Sequence, residues 1–180
     1  MKPAEKKFFA TRRIHWLDHY IDYRNLSELI AYESYIDMES PSPFLNSLDG
    51  EVNKFITFYN SYKKLLADYN YNLNTEWRSL KADRSLKSEH LHVFIENMIS
   101  LARETMELIV FLSSNLTAIN MIEDKFKKHL SGKRDRIINK RLKKMYSNLS
   151  RYLTDEVNSN LDHQNDLRRY KLYLLLCQIR

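Results

Sequence analysis

The stretch "FLNSLDGEVNKFITFYNSYKKLLADYNYNL", residues 44–73, decides the fold. Phe44, Leu48, Val52, Phe55, Tyr59, Tyr62, Leu66, Tyr69 and Leu73 recur at three- and four-residue steps. That spacing returns to one side of an α-helix turn after turn, so about eight turns share a single buried stripe. A second ladder of similar length follows after the polar connection "KADRSLKSEH". It runs through Leu91, Phe94, Met98, Leu101, Ala102, Leu108, Phe111, Leu112, Ile119, Ile122 and Phe126. Two stripes of matching length predict two long helices paired antiparallel, with shorter helices at their ends.

The rest of the chain reads as helix as well. Ile14, Leu17 and Ile21, then Leu26, Leu29 and Ile30, recur at helical spacing before a break at "DMESPSPF". Trp16, Leu17, Ile21, Leu26 and Ile30 are expected to pack against the long helices. Gly132 is a natural helix stop, "IINKRLKKMYSNLSRYL" a basic amphipathic helix, and "LRRYKLYLLLCQIR" a final apolar one. With two glycines and three prolines in 180 residues, hairpin turns lack their usual residues and a sheet is not expected. The expected class is all-α: an N-terminal helical hairpin on two long antiparallel helices, then one or two shorter C-terminal helices. The expected division is 1–145 for the helical domain and 146–180 for a C-terminal extension packing on the bundle or a partner.

Charge is concentrated in two blocks. Residues 1–13 carry Lys2, Lys6, Lys7, Arg12 and Arg13 against Glu5, a net of +4. Residues 125–144 carry ten basic side chains against Asp135, a net of +9, in a chain whose total is +6. The remainder is therefore acidic, and charge focused in this way points to a polyanionic partner. The single cysteine, Cys177, excludes an internal disulfide and fits a reducing compartment. The N-terminus lacks the apolar core of a secretory signal, and no segment is expected to reach the ~20 apolar residues of a membrane span. A location on the cytoplasmic side follows, with any membrane attachment made through a partner.

Catalytic patterns are absent. His90 and His92 stand about 200° apart on a helix and cannot share a metal there. His15 and His19 are four residues apart but lack the glutamate of a zinc-protease helix, so they read as a surface pair. Gly132-Lys133 has no upstream glycine and no preceding strand, so it is no phosphate loop. The expectation is a binding domain, not an enzyme, with no metal and no cofactor.

Four segments in order carry a family resemblance. "MKPAE" is similar to the MKF(G/A)E/K opening of SPX domains. "HWLDHYIDYRNLSELI" resembles their W…YIxYxxLK segment, and "FLNSLDGEVNKFITFY" their F…LDxELxKxxxFY helix. "LIVFLSSNLTAINMIEDKFKKHL" resembles their LxxYxxLNxTGFxKILKKxDK segment. Together these cover roughly residues 1–130, leaving about 50 residues for no further large domain, so the module is expected to act alone, through a partner, or as an excised piece.

The resemblance implies a sensor of inositol hexakisphosphate or an inositol pyrophosphate in phosphate or polyphosphate homeostasis. Its protein partner would be a transporter, a polyphosphate polymerase subunit or a regulator. It assigns phosphate contact to Lys2, Tyr23, Lys125 and Lys128, with Lys6, Arg24, Lys127 and Lys133 as secondary candidates. Lysines supply point charges for a compact polyanion and a tyrosine hydroxyl adds a directed hydrogen bond. The chain departs from the pattern at Ser27, Met121 and Asp124, where the family carries lysines. Phe55, Tyr59 and Asn115 match positions expected in the core, with the Asn115 amide satisfying backbone. An alternative remains open: a degenerate SPX-like scaffold or assembly subunit with weak or no ligand binding. A remoter one takes "KRDRIINKRLKKMYSNLSR" as a nucleic-acid-binding helix, against which the sparse aromatics argue.

Overall fold

The computed structural model describes residues 3–33, 42–82, 88–129 and 140. Among these the architecture is all-α, with four α-helices and one short 3-10 helix and no strand. Helix α1 spans Pro3–Ala10, the 3-10 helix Ile14–His19, α2 Tyr23–Glu33, α3 Pro43–Ala82 and α4 Ser88–His129. The chain divides into two compact units, Met1–Leu130 and Ser131–Arg180. The two expected C-terminal helices lie outside the described residues.

Helices α3 and α4, at 40 and 42 residues, are each about 60 Å long at 1.5 Å per residue. Ring contacts fix their relation. Phe44 stacks on Phe126, Phe58 meets Phe111 edge-on, and Trp77 stacks on Phe94. The first partner advances along α3 while the second retreats along α4, so the pair is antiparallel, as the two stripes require. Phe55 and Tyr59 are buried in the seam. Helix α2 packs on both long helices and α1 on α4.

Two helix starts show how short segments are anchored. Asp22 precedes α2 and its Oδ1 accepts the Asn25 N–H at 3.0 Å, an N-cap bond. Ser42 precedes α3, and its Oγ accepts the Leu45 N–H at 3.1 Å. Pro43 occupies the first helical position, where a missing N–H costs nothing. The buried Glu33 at the end of α2 completes this cap by accepting from Ser42 Oγ at 2.5 Å and from the Phe44 N–H at 3.0 Å. A carboxylate there also meets the positive end of the α3 dipole.

The segment between α1 and α2 departs from the expected α-helix. A 3-10 turn takes three residues, so Ile14 and Leu17 line up on one edge of it and both face solvent, 78% and 42% exposed. Leu17 therefore does not pack against the long helices. Trp16 and Tyr20 do, meeting Phe111 at 5.6 and 4.7 Å between ring centroids. Arg13 straps this segment to the bundle. Its guanidinium lies 4.6 Å from the Trp16 ring and forms two bonds to Glu104, at 2.7 and 2.9 Å. The Tyr62 hydroxyl donates to the same carboxylate at 2.6 Å. The Arg13 bond chiefly, with Tyr62 adding to it, holds the Glu104 carboxyl down at about 2. Burial first, and then Glu104, pushes Tyr62 up to about 12.

By length and composition alone, one described helix, Ser88–Lys128, is long and apolar enough to cross a membrane: an 18-residue window within it has a mean hydropathy of 1.3, and 44% of that window is buried inside the structure. Packing against α1, α2 and α3 accounts for much of that apolarity.

The Asn115 side chain, fully buried, accepts the Ile21 N–H through Oδ1 at 2.8 Å and donates Nδ2 to the Phe111 carbonyl at 2.9 Å. Asn115→Leu keeps the branching of the side chain but orphans a buried backbone donor, so urea unfolding should show a loss of at least ~1–3 kcal/mol. Gly50 in α3 has open space where a Cβ would stand, so Gly50→Ala should raise stability by roughly 0.5–1 kcal/mol in the same assay. The low value of Glu104 means its contribution is present above the ordinary carboxylate range and is lost as pH falls from 4.5 toward about 2. Melting temperature measured across that window should fall less steeply for Glu104→Gln than for the wild type.

Candidate functional site

The described candidate residues lie on α1, α2 and α4, and both α1 and α2 pack on α4. Thr11, just past α1, shares a hydrogen bond of 3.0 Å between its Oγ1 and Ser114 Oγ of α4. That face of α4 continues at helical spacing through Ala118 and Met121 to Lys125, with Lys128 close to the same direction. Ala118 is buried, Met121 and Lys125 are half-buried and Lys128 is exposed. Roughly 100° per residue turns Lys127 away from this face. There its Nζ pairs with Glu123 Oε1 at 2.6 Å, and that carboxylate raises its pKa. Asp124 is exposed beside Lys128.

Tyr23 opens α2 and is half-buried against α1. The rings of Phe8 and Phe9 stand edge-on to it, 6.3 and 6.5 Å away. Its hydroxyl donates to Glu5 Oε1 at 2.8 Å. Burial, followed by that acceptor, raises its pKa above the ordinary phenol value. Asp22, the N-cap of α2, donates its own N–H to Glu51 Oε2 at 2.7 Å, and Lys54 pairs with the same oxygen at 2.6 Å. The first turn of α2 is thus fixed to α3 on one side while Tyr23 faces α1 on the other.

Ser27, one turn beyond Tyr23, is only 7% exposed, and its hydroxyl lies beside the Tyr23 oxygen, where it lowers the Tyr23 pKa. This position therefore adds a small buried hydroxyl and no charge. Arg24 and Lys6 are exposed. Lys2 and Lys133 lie outside the described residues. The structure therefore puts Lys125 and Lys128 on one face of α4, Lys127 on another, and Tyr23 against α1.

Two residues of this corner were not singled out from sequence. Glu5 entered only as a counter-charge in a basic block, yet it holds the Tyr23 hydroxyl. Arg12 spreads its guanidinium over Phe9 and Phe8, at 4.7 and 5.4 Å from the ring centroids, and reaches Tyr20 at 6.0 Å. Its Nε is buried without a hydrogen-bond partner. The paired aromatics three and four residues before it, in "FFATR", were the available signal.

Among the described residues no group of three or more His, Cys, Asp or Glu side chains is placed to hold a metal ion. His15 is exposed, whereas His19 is half-buried and stacks on Phe58 at 4.0 Å between centroids, so the two do not form a matched surface pair. His92 lies 3.3 Å from Glu96 on the surface of α4.

No family model, curated protein or solved structure matches this chain.

Proposed function

We propose that residues 1–130 form an SPX-like binding module that takes a polyphosphorylated inositol at the corner of α1, α2 and α4. Lys125 and Lys128 are its main phosphate contacts, Tyr23 its directed donor, and Lys2, Lys6, Arg24 and Lys133 further cations. The observation that carries the reading is the continuous face of α4 from Ser114, where Thr11 touches it, to Lys125 and Lys128. Several fixed cations beside an N-terminal hairpin suit a compact ligand of many charges better than a single phosphate. The hairpin on two long antiparallel helices is also the arrangement that the SPX resemblance implies. Binding would be read out by association with a protein partner in phosphate or polyphosphate homeostasis, without catalysis.

A second reading has its own observation. The Tyr23 hydroxyl is bonded to a carboxylate and Ser27 contributes no charge, which suits a scaffold or assembly subunit that keeps the SPX-like shape with little affinity for the ligand.

Calorimetric titration with inositol hexakisphosphate at low and physiological salt separates them. On the first reading binding weakens as salt screens it. Lys125→Ala should then weaken it about tenfold, the size of one charge-assisted contact, while Lys127→Ala should leave it unchanged. Absence of heat at low salt would sink the first reading.

A further inference from the structure

Tyr23 has one hydroxyl proton, and a single donor serves one good acceptor at a time. In this structure that acceptor is Glu5 Oε1, 18 residues earlier in the chain and on a different helix. The phenol is not free to turn elsewhere, since Phe8 and Phe9 of α1 pack against its ring. One turn along α2, the buried hydroxyl of Ser27 lies beside the Tyr23 oxygen, close enough to lower its pKa against the opposing pull of burial and Glu5. The Tyr23 hydroxyl is thus committed to a carboxylate.

We propose that Glu5 is the specificity-setting residue of the polyanion site, an internal competitor that an incoming phosphate must displace from Tyr23. The inference rests on the inositol-polyphosphate reading and deepens it. A phosphate group that accepts the Tyr23 hydrogen bond breaks the Glu5 bond and then sits beside an anion. A small anion such as inorganic phosphate has only this corner to offset that loss. A ligand with several phosphates offsets it by reaching Lys125 and Lys128 at the same time. Glu5 therefore converts total ligand charge into a threshold for entry.

The test is a double-mutant cycle on the full chain, with wild type, Glu5→Ala, Tyr23→Phe and the double variant. Each is titrated with inositol hexakisphosphate and with inorganic phosphate, after circular dichroism has shown equal helicity and melting. Glu5→Ala should tighten inositol hexakisphosphate by about tenfold and strengthen inorganic phosphate proportionally more, narrowing the preference. Tyr23→Phe should change little alone, because the lost contact and the relieved competition offset each other, and should weaken binding clearly in the Glu5→Ala background. Equal binding by wild type and Glu5→Ala overturns the competitor role while leaving the sensor reading intact. The same gain from Glu5→Ala with and without the Tyr23 hydroxyl reduces Glu5 to a general surface charge, and this also overturns it. If none of the four proteins binds inositol hexakisphosphate, the sensor reading falls and takes this inference with it.

Discussion

Phe111 is fully buried near the middle of α4 and is touched by rings from three directions. Phe55 and Phe58 reach it from α3, Trp16 from the 3-10 helix and Tyr20 from the residue that follows it. Edge-on aromatic packing is directional as well as apolar, so these contacts set orientation as well as proximity. The antiparallel pairing of the long helices alone would leave one side of α4 open. By accepting Trp16 and Tyr20, Phe111 fixes the height at which the N-terminal segment crosses the bundle, and the positions of α1 and α2 follow from it.

A segment that is neither strand nor long helix has backbone groups that cannot all be satisfied locally. Here they are satisfied by side chains of the long helices and by the segment's own tyrosine. Asn115 takes the Ile21 N–H, Glu51 the Asp22 N–H and Tyr20 the Arg13 N–H. Arg13 adds a charged strap to Glu104 that is shared with Tyr62. Apolar burial sets where the N-terminal segment sits, and these polar ties set its register. A slip of one residue would break several of them together.

The parts that sequence reading captured are those whose information is local and periodic. Helices α3 and α4 follow from ladders of many turns, and their antiparallel order from equal length. Lys125 and Lys127 could be assigned to different faces because only the angle per residue was needed. Asn115 behaves as expected because a buried amide between helices has few other uses. The 3-10 helix defeated the same method, since Ile14 and Leu17, three apart, fit an α-helical stripe and a 3-10 edge equally well. The cap of α3 by Glu33 was hidden for a different reason: nine and eleven residues separate it from Ser42 and Phe44, and no short motif spans that gap. Glu5 was obscured by its setting among lysines, where a lone acid reads as charge balance until Tyr23 is seen opposite it.

The ties that seat the N-terminal segment join residues far apart in the chain. Arg13 and Glu104 are separated by 91 positions, Ile21 and Asn115 by 94, and Thr11 and Ser114 by 103. A ribosome therefore delivers Phe8, Trp16, Tyr20 and Ile21 long before their partners exist. At ~5–20 residues per second, the roughly 80 residues from the end of α2 to Asn115 take on the order of 5–15 s to emerge. During that interval the aromatic segment waits unseated, and it cannot dock until α4 has emerged. The basic residues interleaved with its aromatics, Lys6, Lys7, Arg12 and Arg13, give the waiting chain a like-charge repulsion that keeps nascent copies on neighbouring ribosomes apart.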